Sequence, residues 1–209
     1  MTSPARTGSA LTDGSARTGF SRVGGDVALD LLNTVASRLA ADGGRDLLEG
    51  YADVVAWCRA SKIVDLAEAA ALLAAADRAP LDAAAELVRV RDLREMSYEA
   101  VMSGDGPAGA QLAASYREAV GEETLVRRDG AWRWQASELG LATPRHRLAH
   151  AVTRLLTSER LGLVYQCEDE TCGRVFLDTS PRRNRVWCAA DTCGNRNRVR
   201  RHYYRRRQS

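Results

Sequence analysis

The feature that most constrains this chain is the arrangement of four cysteines near its C-terminal end. Cys167 and Cys172 are separated by four residues, as are Cys188 and Cys193, and fifteen residues lie between the two pairs. Two close pairs at such a separation are typical of a tetrahedral zinc site. Because four thiolates leave no ligand position open for water, the spacing predicts one structural Zn²⁺ that stabilises a small module.

The cysteines also allow other interpretations. The four could form two disulfides or be unrelated thiols, and an iron ion could bind in the same all-sulfur site. Disulfides are disfavoured in a cytoplasmic protein. We expect a cytoplasmic location, because the sequence has neither an apolar run long enough for a membrane span nor an apolar secretory signal at its start. Zinc is therefore the favoured interpretation.

The rest of the sequence predicts a mainly α-helical domain with one β-hairpin. Apolar residues make up 45% of the 209 residues, which is enough for a hydrophobic core. We expect a polar, disordered lead over residues 1–19 and a mostly helical domain, suited to sensing or dimerisation, over residues 20–162. Residues 163–209 are expected to form the zinc module, a treble-clef-like hairpin followed by a helix.

The periodicity of apolar residues places the first helix of the body. Val27, Leu31, Val35 and Leu39 recur at intervals of four residues. This spacing puts them on one face of a helix and predicts a single first helix through all four positions.

Two further helices carry clear signals at their ends. Asp65 and Glu68 form a capping pair for a helix over about 66–78. Pro80 starts a long helical segment, and Gly104 is a suitable residue to end it.

The second half of the body combines helices with the hairpin. "GAQLAASYREAV" predicts a short helix, and Asp129-Gly130 marks the turn of a β-hairpin. Thr143-Pro144 is expected to cap a last helix that ends near Gly162. Within the zinc module, "RVFLD" and "RVW" are predicted to pair as strands, with a turn at Ser180-Pro181 and Asn184.

Positive charge is concentrated at the C-terminal end. From Arg174 onward the chain has eleven arginines and two aspartates, a net charge of +9, whereas the preceding residues sum to −6. Lys62 is the only lysine, so the choice of arginine reflects composition, but the placement of the charge is informative. The asymmetry favours an acidic body with a basic segment that binds nucleic acid.

The C-terminal sequence resembles a known family. "WCAADTCGNRNRVRRHYYRRR" is similar to the CGNR zinc-finger family, named for the tetrapeptide at residues 193–196, and "ALDLLNTV" resembles the start of the ABATE domain that precedes this finger in many bacterial proteins. The resemblance implies a stress-linked transcription regulator with a zinc-dependent DNA-binding module. It also implies zinc ligands at Cys167, Cys172, Cys188 and Cys193, and structural positions at Phe176, Asp178 and Trp187.

A helical projection of residues 195–207 separates two faces. Val199 and Tyr203 fall together and are expected to pack on the zinc hairpin. Arg198, Arg201 and Arg205 project away from that face, with Asn197 and Tyr204 beside them, and are predicted to contact phosphates or the major groove.

Other arginines complete the expected interface. Arg182, Arg183 and Arg185 lie at the predicted turn and would form a second basic cluster. Arg196 is expected to brace the finger, on Asp178. DNA is favoured over RNA, because Tyr204 is the only clear candidate for base stacking.

Several alternatives stay open. The finger could dock an acidic protein, including a second copy of this chain, or act as a redox switch that releases zinc. A homodimer through the helical domain is a further option. The sequence shows no nucleophile–base pattern and no phosphate-binding glycine loop, so we expect no enzymatic activity.

Some polar or reactive residues are expected to be structural. Asp30, Asn33 and Thr34 interrupt an apolar helix, and a buried amide that binds a neighbouring backbone is favoured over a ligand pocket. Cys58 is expected to be a core residue. His146 and His150 have ligand-like spacing, but no second metal is expected there.

Overall fold

The computed structural model describes residues 19–104 and 106–207. Its elements, in chain order, are α1 (Val27–Leu32), β1 (Val35–Ala36), β2 (Arg45–Asp46), α2 (Tyr51–Ala60), α3 (Leu66–Arg78), α4 (Pro80–Ser103), α5 (Ala108–Gly121), β3 (Glu123–Arg128), β4 (Ala131–Ala136), α6 (Thr143–Leu156), β5 (Val164–Gln166), β6 (Val175–Leu177) and α7 (Asn195–Arg207). The strands form three separate antiparallel pairs, β1–β2, β3–β4 and β5–β6. The mainly helical architecture with a zinc module is confirmed. The predicted lead over 1–19 lies outside the described residues except for Gly19.

The first helix is much shorter than the apolar spacing predicts. α1 ends at Leu32, and the chain turns into β1, so the prediction of one helix through Leu39 was wrong. Ser37 has a left-handed backbone, with φ of 52°, which no helix accommodates. The backbone N–H of Arg38 donates to the Cys172 carbonyl, and that of Leu39 donates to the Thr171 carbonyl, both in the zinc module. Carbonyls of the first cysteine turn therefore accept the N–H groups of Arg38 and Leu39, which in a longer helix would bond within the helix.

The helix signals at α3 and α4 are confirmed. Asp65 Oδ1 accepts from the Glu68 N–H at 2.8 Å, and Glu68 Oε2 accepts from the Asp65 N–H at 2.9 Å, which is the predicted capping box. α4 begins at Pro80 and is followed by Gly104 with φ of 71°, a left-handed residue that ends a helix. Asp129 and Gly130 also have positive φ angles, of 50° and 79°, and form the predicted turn between β3 and β4.

The last helix of the body differs from its prediction at both ends. Ala142 is the residue that precedes the helix, and the Thr143 hydroxyl accepts from the Gly140 N–H at 3.0 Å instead of capping the helix. α6 ends at Leu156, and a short 3₁₀ helix over Glu159–Leu163 follows it. β5 begins at the next residue, so this 3₁₀ helix connects the body to the zinc module.

One hydrophobic core extends from the helical body into the zinc module. Leu29, Trp57 and Leu148 are among its fully buried side chains, and Val175 and Leu177 of β6 belong to the same cluster. The division near residue 162 therefore remains an interpretation of the sequence. In the structure, the two parts share a core.

Cys58 lies within this core, as expected. It has no exposed surface, and burial raises the pKa of its thiol to about 12, because the thiolate would lose its hydration. Cys58 is therefore a packing residue and not a reactive thiol.

Candidate metal centre and nucleic-acid interface

The four cysteines predicted as ligands meet at one point. The Sγ atoms of Cys167, Cys172, Cys188 and Cys193 all lie within 4.8 Å of one another, and all four residues are buried. Sγ of Cys188 is 3.7 Å from that of Cys172 and 3.6 Å from that of Cys193. A zinc tetrahedron with Zn–S bonds of about 2.3 Å has edges of about 3.8 Å, whereas a disulfide requires about 2.05 Å. The cluster is a single zinc site, and the disulfide interpretation fails.

The electrostatics of the cluster also call for a cation. Hydrogen bonds from the thiols of Cys172 and Cys188 lower the pKa of Cys167, whereas contact with the Cys167 and Cys188 sulfurs raises the pKa of Cys172. Four thiolates this close together repel one another, so they do not all ionise without a cation between them. A dication between the sulfurs lets all four ionise together.

The hairpin of the zinc module is formed by different strands from those predicted. β6 pairs with β5, in the register Val164 to Leu177 and Gln166 to Val175. "RVW" at 185–187 is not a strand, so the predicted pairing across Ser180-Pro181 was wrong. The true hairpin encloses the first cysteine pair, and the Cys167 N–H donates to the Arg174 carbonyl at 2.8 Å. The cysteine turn therefore sits at its tip.

The segment after β6 is a loop organised by two charged side chains. Asp178 is buried, and its carboxylate accepts from the N–H groups of Ser180 and Arg185, both at 2.9 Å. Interaction with the Ser180 side chain, together with these two hydrogen bonds, holds the pKa of Asp178 below its usual range. The guanidinium of Arg185 lies 4.1 Å from the centre of the Phe176 ring. Phe176 is completely buried beside the cysteines.

Arg185 supports the finger from within. Its guanidinium donates to the carbonyls of Trp187 at 3.0 Å, Val23 at 3.3 Å and Cys188. These contacts give Arg185 a structural role in the finger that the sequence analysis did not foresee. Its contact with nucleic acid stays a prediction.

Asn33 joins the finger to the body. Its side-chain Nδ2 donates to the Val175 carbonyl, and its Oδ1 accepts from the Val175 N–H, both at 2.9 Å. The amide thus replaces a neighbouring strand for β6. Further along β6, the Leu177 N–H donates to the Gly24 carbonyl, and the Gly24 N–H donates to Asp30 Oδ1 at 2.8 Å. The expectation that Asn33 binds backbone is confirmed.

The first cysteine turn packs tightly on the loop between β1 and β2. Gly173 has φ of 66°, and a Cβ atom there would lie 2.9 Å from side-chain atoms of both Arg38 and Leu39. The carbonyl of Gly173 accepts from the Tyr98 hydroxyl at 3.3 Å, and the Arg38 guanidinium stacks 4.1 Å from the Tyr98 ring centre. Only glycine fits this close approach. The position of the finger on the body is therefore defined by direct contact.

α7 follows Cys193 and is attached by polar contacts. The buried carboxylate of Asp169 accepts from Asn197 Nδ2 at 2.7 Å and from Arg196 Nη1 at 3.2 Å. Asn197 also donates to the Cys193 carbonyl at 3.0 Å, and Arg200 pairs with Glu170 at 2.7 Å. The acidic residues of the first cysteine turn, 167–172, therefore determine which face of α7 contacts the finger.

This arrangement corrects three sequence-based expectations. Arg196 braces the finger through Asp169 and not through Asp178. Val199 and Tyr203 are 61% and 55% exposed, so they do not pack on the hairpin. Asn197 lies on the attached face. The sequence analysis overlooked Asp169 and Glu170, although two acidic residues between the first cysteines, opposite a basic helix, were a usable signal.

The remaining predicted contact residues lie on the outside of the finger. Arg198, Arg201 and Arg205 are exposed on α7, and Arg182 and Arg183 are exposed in the loop after β6. Trp187 is half-buried against the zinc cluster, where a Cβ atom on Gly194 would approach its ring to 3.2 Å. It serves the finger's interior, as expected.

Comparison with known families gives two matches. A family described as "Putative stress-induced transcription regulator", ABATE, matches residues 25–159, and the CGNR zinc finger matches residues 164–206. No curated protein matches the chain. Among the described residues, no helix is both long and apolar enough to cross a membrane.

Proposed function

The chain belongs to the ABATE family and carries a CGNR zinc finger, and from this premise we propose that it regulates transcription by binding duplex DNA through the outer face of α7. The observation that carries the proposal is the way α7 is mounted. Its first turns are attached to the zinc site through Asp169 and Asn197, while residues 201–207 are all exposed. A helix fixed at one end and exposed along its length suits insertion into a groove about 12 Å wide.

The side chains on the exposed face of α7 suit this role. At about 100° per residue, Arg198 and Arg205 lie opposite the face that Arg196, Asn197 and Arg200 turn toward the finger, and Arg201 lies on the flank. Arg182 and Arg183 add exposed positive charge beside the helix. Guanidinium groups bind phosphates and the edge of guanine with two parallel hydrogen bonds.

The charge of the rest of the molecule orients the encounter. The residues before Arg174 sum to −6 and those from Arg174 onward to +9. Phosphate repels the first part and attracts the second, so DNA would approach the finger. We propose that the body senses a signal or dimerises. A binding protein in the cytoplasm, without enzymatic activity, fits this division of labour.

Single-stranded RNA is the second candidate ligand, and one observation favours it. Tyr203 and Tyr204 are 55% and 56% exposed, with ring centres 6.1 Å apart. Exposed aromatic rings are what RNA readers use to stack unpaired bases. The sequence analysis counted only Tyr204, so the preference for DNA now rests on the helix and its arginines.

The test is fluorescence anisotropy of the zinc-loaded protein with random duplex DNA and with single-stranded RNA, across a salt series. We expect duplex affinity to fall linearly with salt on logarithmic axes, with a slope of about 0.9 per phosphate contact. Replacing Arg198, Arg201 and Arg205 together by alanine should reduce the slope by about 3 and leave the zinc content unchanged.

The matched control removes the same charge from the body. Arg59, Arg78 and Arg117 are exposed on its helices, and their replacement by alanine should leave the salt slope unchanged. Equal losses in both triple variants would contradict the proposed face. Tighter binding to RNA, lost when Tyr203 and Tyr204 become alanine, would assign the finger to RNA instead.

A further inference from the structure

The helical domain contains an open cleft that the DNA-binding proposal does not use. It has a volume of about 1100 Å³ and lies between the hairpin β3–β4 and α6, with Tyr116 of α5 and Glu68 of α3 at its edge. His150 and Arg154 line it from one face of α6, since residues four apart share a helix face, and Thr157, directly after the helix, lines it as well. Pockets for organic ligands are commonly about 300–1,000 Å³, so the cleft has room for a small molecule.

The positive charges in the cleft exceed the negative ones. Arg128, Arg133 and Arg154 line it, and none of the three forms an ion pair with another side chain in the described part of the chain. Glu68, in contrast, is balanced by Arg147 at 2.6 Å. Glu123 is the other acidic residue of the lining. The cleft is therefore net positive and attracts an anion.

Two polar groups of the cleft lining, on Glu123 and His150, lie against each other. Glu123 Oε2 and His150 Nε2 are 2.7 Å apart, within ion-pair distance, although their alignment does not meet hydrogen-bond geometry. The Glu123 side chain is only 7% exposed, and the Tyr116 ring meets His150 edge-on at 5.0 Å.

An aromatic wall completes the cleft. Trp134 lines it and is 52% exposed, and Leu139 and Val126 add apolar surface. A half-exposed indole offers a flat face on which a ring can stack, while a guanidinium group binds a carboxylate or phosphate through two hydrogen bonds. We propose that this cleft is the binding site for a small organic anion with a planar ring. The proposal concerns the helical domain and does not depend on DNA binding.

The test is isothermal titration calorimetry on the full-length, zinc-loaded protein. The probes are 2-naphthoate and 2-naphthyl phosphate, which distinguish a carboxylate ligand from a phosphate ligand. The controls are 2-naphthol, which has the ring without the charge at neutral pH, and acetate, which has the charge without the ring. We expect saturable binding of one ligand per chain for at least one probe, and at least about tenfold weaker binding of both controls, because each lacks one of the two contacts.

Matched variants on the same elements locate the site. Arg133→Gln and Arg154→Gln should each weaken probe binding about tenfold, since each removes a charge-assisted hydrogen bond. Trp134→Leu should weaken it through loss of stacking. Arg127→Gln and Trp132→Leu alter exposed residues of the same hairpin that do not line the cleft, and they should leave the dissociation constant unchanged.

Two results would overturn the proposal. One is the absence of saturable heat with both probes while thermal melting shows a folded protein. The other is an equal loss in the cleft variants and their hairpin controls. Measuring the duplex DNA affinity of Arg154→Gln distinguishes failure of the ligand proposal from failure of the DNA-binding proposal. If that variant loses DNA affinity and keeps probe affinity, the cleft is part of a nucleic-acid surface and the assignment to a small anion is wrong.

Discussion

The two halves of the zinc module are held in place by different forces. The strand β6 is buried, with Val175 and Leu177 at 0% and 2% exposure within the core of the body. The helix α7 has no buried residue and is attached through polar contacts near its start. The hairpin half therefore depends on the helical body, whereas the helix half depends on the metal.

This difference shows how a zinc ion can be structural for only part of its module. Cys167 and Cys172 sit at the tip of a hairpin that Asn33 and Gly24 hold from the body. Cys188 and Cys193 belong to a segment with far fewer such contacts, so the ion ties a loosely supported segment to a firmly supported one. The body can then determine the position of α7 through the hairpin and the zinc.

Removing zinc should produce the largest effect. We expect a chelator to abolish nucleic-acid binding and to melt α7, because structural zinc contributes about 10–16 kcal/mol in small zinc modules. The body should remain folded, since its core does not include the metal site. Circular dichroism should show a loss of helix limited to about the length of α7, and added zinc should restore it. Loss of all helical signal would contradict the division into two halves.

Replacing Asn33 by alanine should have the next largest effect. The substitution leaves the buried N–H and carbonyl of Val175 without partners, which costs about 2–5 kcal/mol in unfolding free energy. Urea unfolding at neutral pH would measure the loss, with the exposed Asn184→Ala as the control for the finger loop. A change below about 0.5 kcal/mol would mean that β6 does not rely on the body.

The features that the sequence predicted well are those decided by near neighbours. The capping pair Asp65 and Glu68, the start at Pro80 and the turn at Asp129-Gly130 each depend on residues a few positions apart. The four cysteines are a special case, because a tetrahedral metal site fixes their geometry wherever the chain runs.

The features that the sequence analysis missed or predicted wrongly depend on partners far away in the chain. The pairing of Asn33 with Val175 spans 142 positions, and no local pattern identifies it. The spacing of Leu39 with the apolar residues before it suggested a longer α1, but hydrogen bonds to the zinc module end that helix early. A helical projection shows which residues of α7 share a face, but not which face packs. The acidic turn at Asp169 decided that question, against the apolar Val199.

The smallest expected effect concerns Asp30, which binds the N–H of Gly24, the residue whose carbonyl binds Leu177 of β6. Burial raises the pKa of Asp30 to about 6, from an ordinary value of 3.8, despite the hydrogen bond from Gly24. Between these two pH values the folded protein holds a proton that the unfolded chain releases. This residue's contribution to stability therefore falls as pH rises from about 4 to about 6 and is constant above that range.

Asp30→Asn should accordingly stabilise the protein at pH 7. The asparagine oxygen can still accept from the Gly24 N–H, and the cost of a buried charge disappears, so we expect a gain on the order of 1–2 kcal/mol. The measurement is urea unfolding of wild type and variant between pH 4 and pH 8, where the gain should be largest above pH 6 and vanish near pH 4. Asp77→Asn, at an exposed position of α3, is the control and should change neither the free energy of unfolding nor its dependence on pH. A variant that is less stable at every pH would show that the carboxylate of Asp30 holds Gly24, and with it β6, through its charge.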